Sequence, residues 1–264
     1  MVSRWFLRAL VAGYLLMLVA WPVSLVATNA FTNGLDAMVM VFTDPGVVHA
    51  LQLTVLVAGI AVVINTVFGV AMSMFLVRYE FPGKRLLSAL LDLPLAVSPV
   101  VVGLALVLVY GGRDGWFGPF LESLGIRVIF STPGLVMATA FVALPLVIRE
   151  VVPVLTEIGT DQEQAAKSLG ASSAQTFWRI TLPAIKWAVI YGVVLSTARS
   201  LGEFGAVKVV SGNVLGETRT ATLAVEELYL NFDQAGANAI AFGLAMVSVL
   251  CIVVVGALRP RHRI

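Results

Sequence analysis

The sequence predicts an all-α, polytopic membrane protein with about six transmembrane helices. Three observations carry that reading. Of the 264 residues, 59% are hydrophobic and only 12% charged, with a mean hydropathy of +0.96. Soluble domains carry roughly twice that share of charge, about 25%, so this chain cannot cover a water-facing surface. The apolar residues also fall into six long runs rather than short alternating strands. Lysine and arginine, finally, are distributed unevenly between the connecting segments. A soluble enzyme, a nucleic-acid binder and a disordered chain are excluded at this level. The net charge of +2 says little, because placement matters more than the sum.

In chain order the expected spans are Ala9–Thr28, Leu51–Val77, Leu86–Tyr110, Pro133–Val152, Trp187–Val210 and Ala235–Leu258. Each approaches the roughly 20 apolar residues that a bilayer requires. Arg4 and Arg8 precede the first run, and Thr28-Asn29-Ala30 resembles a signal-peptide cleavage site. The run is longer than a usual signal core, so the reading is an uncleaved helix. In the third run Pro94 and Pro99 are expected to kink the helix and free backbone carbonyls. With the N-terminus placed inside, twelve basic residues lie in inside segments: Arg4, Arg8, Arg78, Lys84, Arg85, Arg149, Lys167, Arg179, Lys186, Arg259, Arg261 and Arg263. Only Arg113, Arg127 and Arg219 lie outside, while Arg199 and Lys208 fall within the fifth run. The bias places both termini in the cytoplasm of a cytoplasmic-membrane protein. Residues 1–46 are read as a peripheral first helix with an external loop, 47–258 as the permeation domain, and 259–264 as a basic tail.

The loop from Glu157 to Lys186 reads EIGTDQEQAAKSLGASSAQTFWRITLPAIK. Thr160 with Glu163, and Ser172 with Gln175, have the spacing of capping boxes. Gly170 between them suits a left-handed helix end, and Pro183 the first turn of the next helix. The local chemistry predicts a helix, a glycine break and a second helix at the membrane surface.

Gln164-Ala165-Ala166, then Gly170, then Ile180-Thr181-Leu182-Pro183 resembles the EAA loop of type I permeases of binding-protein-dependent ABC importers. The family's glutamate falls on Gln164, with Glu163 just before it. The resemblance covers Ile60 through Gly256. Asp92–Leu106 (DLPLAVSPVVVGLAL) and Ala198–Asn213 (ARSLGEFGAVKVVSGN) resemble the branch that carries sulfate, thiosulfate, molybdate and tungstate. Glu217–Tyr229 (ETRTATLAVEELY) is most similar to the W-type permease of the sulfate/thiosulfate importer. The resemblance implies a type I permease fold, a second homologous permease subunit, two ABC ATPase subunits and an extracytoplasmic sulfate-binding protein. It implies that Glu163, Gln164, Ala165, Ala166, Gly170, Ile180, Leu182 and Pro183 form the ATPase-coupling loop. Small Ala165 and Ala166 permit close approach to a partner's groove. No phosphate-cradling G-x-x-x-x-G-K-[ST] pattern is present, since Gly83-Lys84 is followed by Arg85. The expectation is no cofactor on this chain, with ATP and Mg bound by the partner ATPase, and no nucleic-acid partner. A molybdate or tungstate permease is the close alternative. An ATP-independent secondary anion transporter is the distant one, and the coupling loop speaks against it.

Ionisable groups at membrane depth are costly and therefore functional candidates. Asp92 precedes Pro94 and has Arg149 as an expected partner; a structural ion pair is favoured over a pathway role. Arg199 and Glu203 are four apart, on one helix face, with Gly202, Gly205 and Gly212 suggesting an interrupted helix. Arg199 is a candidate for the anion pathway or gate, with Glu203 holding it or a backbone donor. The competing reading is an ion pair that locks helix packing. Asn65 and Ser73 read as helix-packing polar residues, and the methionines as filler. Cys251 has no cysteine partner in the chain.

Overall fold

The computed structural model describes residues 4–258. The basic tail 259–264, with Arg259, Arg261 and Arg263, lies outside the described residues, as do Met1–Ser3.

Three helices form the centre. Asp44 caps α3 (Pro45–Arg78), its carboxylate accepting the N–H groups of Gly46 and Val47 at 2.8 and 3.0 Å, with Pro45 in the first turn where its missing N–H costs nothing. α3 has 34 residues, hence about 51 Å, longer than the ~30 Å hydrocarbon core. It packs along α7 (Thr132–Ile158), and both pack against α9 (Ser173–Leu201). Lipid provides no hydrophobic drive between helices, so close van der Waals fit must hold them. Small residues supply it. A Cβ on Gly69 or on Gly192 would lie 2.8 Å from Val147, so α3 and α9 both close on this one valine of α7. Val70, Val147, Val151, Leu155, Ile185 and Ala188 continue the seam.

The other helices surround this centre. α1 (Trp5–Ala30) is apolar and leaves its side chains almost entirely exposed. Its second half leans on α12 (Gln234–Leu258), where Phe31 meets Phe242 edge to face. The short α2 (Gly34–Thr43) joins α1 to α3. α4 (Lys84–Ala96) and α5 (Pro99–Tyr110) occupy the third expected span, followed by the short α6 (Gly118–Ser123). Beyond α9 come α10 (Gly205–Ser211) and α11 (Ala221–Leu230). A second core cluster joins α3, α5, α7 and α10 through Leu53, Val102, Leu135, Val142 and Val207. All elements among the described residues are helical.

Two spans depart from expectation. The third is a break rather than a kink: α4 and α5 meet at 111°. Proline disfavours helical conformation in the preceding residue, and Ser98 before Pro99 is extended at φ −59°, ψ 133°. Pro94 by contrast is accommodated inside α4. The fifth span begins at Ser173, 14 residues before the expected Trp187, and ends at Leu201 rather than Val210. Pro183 falls in the first turn of the α-helical segment that opens at Leu182, as expected, but that segment continues the span from Ser173 instead of starting afresh. A π-turn at Phe177–Thr181 absorbs the proline, with the Leu182 N–H donating to the Phe177 carbonyl five residues back. The span stops where Gly202 leaves the helix, and α10 starts separately at Gly205.

Candidate functional site

The first candidate region is the turn between α7 and α9, at the end of the bundle that carries Arg78. α8 (Asp161–Ser168) has Asp161 and Glu163 in its first turn and Lys167 in its last, the arrangement favoured by the helix dipole. Its C-terminus closes in a Schellman motif. The Ala171 N–H donates to the Ala166 carbonyl at 3.0 Å, the Gly170 N–H to Lys167 at 3.0 Å, and Gly170 takes φ +86°. Ser172 and Gln175 then form the expected capping box at the start of α9. Leu169, between the two helices, stands 90% exposed at the tip.

The other expected capping box does not form. Thr160 makes no side-chain cap; its hydroxyl accepts instead from Gln164 Nε2 at 2.8 Å. Glu163 is engaged elsewhere. Arg78, in the last turn of α3, donates through Nε to Oε2 and through Nη2 to Oε1, each at 3.0 Å. The Thr181 hydroxyl donates to Oε1 at 2.9 Å, and Arg78 Nη1 donates to the Leu155 carbonyl at 3.1 Å. Both charged side chains are nearly buried. A cavity of about 290 Å³ opens beside them, lined by Met74, Arg78, Gln164, Lys167 and Phe177 among others.

The loop residues divide by side. Gln164, Ala165 and Gly170 face outward with Leu169, and Pro183 is exposed on α9. Ala166 is buried against its own chain, whereas Ala165 is exposed. The two alanines are one residue apart and hence about 100° apart around the helix. Ile180 and Leu182 are half-buried.

The second region is the break between α9 and α10. Arg199 Nη1 lies 2.6 Å from Glu203 Oε2. The Glu203 side chain is buried, whereas Arg199 keeps about a third of its surface. Glu203 Oε1 accepts the Ala206 N–H at 2.9 Å and so caps α10. The Glu203 carbonyl accepts the Thr222 hydroxyl at 2.8 Å and so ties in α11. Glu203 therefore holds both the arginine and a backbone donor. Asp92 pairs with Arg149 at 2.9 Å, joining α4 to α7, and both side chains are half-exposed. Asn65 donates to the Ala140 carbonyl at 2.9 Å and so ties α3 to α7, whereas the buried Ser73 hydroxyl donates to the Gly69 carbonyl at 2.6 Å within α3 itself.

Sequence reasoning missed three partners. Arg78 counts there only toward the inside charge. Lys208 reads as a basic residue within a span, but pairs with Glu226 of α11. Arg219 bridges Asn213 and Glu227 at 3.0 and 2.6 Å. The one available signal is that a cation at or near membrane depth requires a partner; which partner depends on the fold.

Residues 65–264 match the family described as "Binding-protein-dependent transport system inner membrane component". The chain belongs to this family and is a multi-pass protein of the cytoplasmic membrane. Among its relatives, the sulfate transport system permease protein CysW of Synechococcus elongatus is 48% identical over 94% of this chain and 86% of the relative. The protein of the same name from Escherichia coli K12 is 43% identical over 94% of this chain and 85% of its own length. The sulfate transport system permease protein CysT of Salmonella typhimurium is 41% identical over 84% of this chain and 79% of that one. A bacterial ABC transporter structure involved in the import of alginate superposes with a TM-score of 0.78 at 18% identity, covering 98% of this chain and 96% of that one. At that identity the likeness establishes the ABC-importer permease fold alone.

Proposed function

We propose that this chain is a permease subunit of an ATP-driven importer of sulfate, or of thiosulfate, working by alternating access. The carrying observation is the identity of 48% across 94% of the chain to a sulfate permease, which spans both the turn around α8 and the break at Gly202. In this reading the end bearing Arg78 and α8 faces the cytoplasm, as do both termini. Leu169, Ala165 and Gln164 meet one of two ATPase subunits, which bind ATP and Mg and supply the energy. A second, homologous permease completes the pathway, and an extracytoplasmic binding protein delivers the anion. The ATPase-driven rocking of the bundle opens the anion cavity to one side and then the other. Arg199, held by Glu203 at a helix break, is the group on this chain offered to the passing anion. Its planar guanidinium matches an oxyanion's paired oxygens.

The test is uptake of radiolabelled sulfate by cells that lack other sulfate permeases and express the assembled importer, with thiosulfate and molybdate as competitors. Sulfate-dependent growth, with uptake displaced by excess sulfate or thiosulfate, is the expected result. Uptake of molybdate in place of sulfate would move the chain to the molybdate/tungstate branch. A reporter fused after Ile264 is expected to work only in the cytoplasm, and periplasmic activity would reverse the orientation.

A further inference from the structure

α8 cannot hold its own position. It has eight residues, too few to be stable alone. Gly159 and Gly170, both at positive φ, flank it like hinges, and Thr160 gives it no side-chain cap. If a partner pushes on such a helix, the hinges absorb the movement unless something ties α8 to the spans.

Glu163 is that tie. One carboxylate accepts from Arg78 of α3, 85 residues away, and from Thr181 of α9, 18 residues away. Arg78 at the same time satisfies the Leu155 carbonyl, one of the four that the end of α7 leaves open. Four segments thus converge on two nearly buried side chains. The two-pronged guanidinium–carboxylate contact resists rotation as well as separation. Thr181 lies on the π-turn that accommodates Pro183, so that irregularity helps present the third donor.

We propose that the Arg78–Glu163–Thr181 node is the joint that carries movement of α8 into α3, α7 and α9, and that Glu163 acts within its own chain as a positioning residue rather than by touching the ATPase. This rests on the reading that α8 and Leu169 dock on an ATPase subunit.

The experiment uses the assembled importer in proteoliposomes with its binding protein and sulfate. Three quantities are measured: ATPase subunit retained on purification, ATP hydrolysed, and anion taken up per ATP. Glu163→Gln is expected to retain the ATPase subunit and its hydrolysis but to lower anion per ATP by on the order of tenfold, the scale of a coupling free energy between distant sites. Exchanging the charges, Arg78→Glu with Glu163→Arg, is expected to recover much of that loss. Thr181→Val, which removes one hydroxyl and leaves the ion pair, is expected to cost roughly threefold, and it carries the test if Glu163→Gln does not assemble. Parental anion per ATP in both Glu163→Gln and Thr181→Val would overturn the proposal. So would loss of the ATPase subunit from an abundant Glu163→Gln protein, because Glu163 would then be a contact with the partner. Leu169→Asp tests the docking surface separately. If that variant still retains the ATPase subunit fully, the docking reading itself fails, whatever the node does.

Discussion

Two carboxylates, Glu163 and Glu203, perform opposite kinds of work in this molecule. Glu163 joins segments distant in sequence: its partners are Arg78 and Thr181, 85 and 18 residues away. Glu203 works mainly at short range. It meets Arg199 one turn back and caps Ala206 three residues on, with only its carbonyl reaching α11. The first arrangement makes a surface helix rigid with the bundle. The second lets a helix stop within a span and a new one begin, with the exposed polar groups satisfied. An ion pair between helices transmits displacement, whereas an ion pair within one turn stabilises a local shape. The functional expectation for each residue follows from that distinction.

The largest effect is expected at the first region. Gly170→Pro replaces a residue at φ +86° by one locked near −65° and deletes the N–H that closes α8 on Lys167. Sulfate uptake is expected to fall on the order of 100-fold, the cost of misplacing a working group by about 1 Å, while membrane abundance holds. Parental uptake would show that this end need not be rigid, and the contrast would collapse.

Next comes the break. Arg199→Gln alone leaves the Glu203 carboxylate buried without its cation, a defect of about 3 kcal/mol, so membrane abundance is expected to drop. Arg199→Gln with Glu203→Gln removes both charges and is expected to restore abundance. If Arg199 serves the anion, that double variant assembles and still fails to transport. Uptake at the parental rate, at equal abundance, would make the arginine structural. Arg199→Lys keeps the charge without the planar fork and separates the two properties.

A smaller effect sharpens the division within α8. Ala166→Leu overfills a buried site and is expected to lower the stability of the purified chain by about 1–3 kcal/mol in thermal unfolding. Ala165→Leu should leave the unfolding temperature unchanged and reduce retention of the ATPase subunit. Matching behaviour of the two variants would refute the assignment of sides. The smallest effect is expected at Asp92→Asn. Its pair with Arg149 is half-exposed and Asn keeps a polar partner for the guanidinium, so uptake is expected to stay within about twofold.

The sequence shows the local half of this contrast and conceals the other. Arg199 and Glu203 stand at helical spacing beside Gly202, so both the pair and the interruption can be read directly. Ser172 and Gln175 form their capping box because nothing else competes for them. Thr160 and Glu163 have the same spacing and form none, because a guanidinium from another span takes the carboxylate. No local pattern contains that information. The spans follow the same logic. Length and hydropathy locate them, but whether a proline bends, breaks or is absorbed depends on context. Pro99 breaks its span through Ser98, Pro94 rides inside α4, and Pro183 is taken up by a π-turn.

That π-turn also settles a question of phase. Along α9 the buried positions include Thr181, Ile185, Ala188, Gly192, Ser196 and Ser200, in steps of three and four, as a regular helix requires. The step before them, from Thr176 to Thr181, is five. In an unbroken α-helix a five-residue step rotates a side chain about 140° off the stripe. The i→i+5 turn takes up the extra residue and returns Thr181 to the inner side. The turn therefore acts as a spacer between two reading frames of one rod, the short frame of the surface loop and the long frame of the span. Removing one residue from 177–180 would give a more regular helix. It would also leave Thr176 and the span's inner face in step without the irregular turn, and shorten the rod that joins the loop to the membrane.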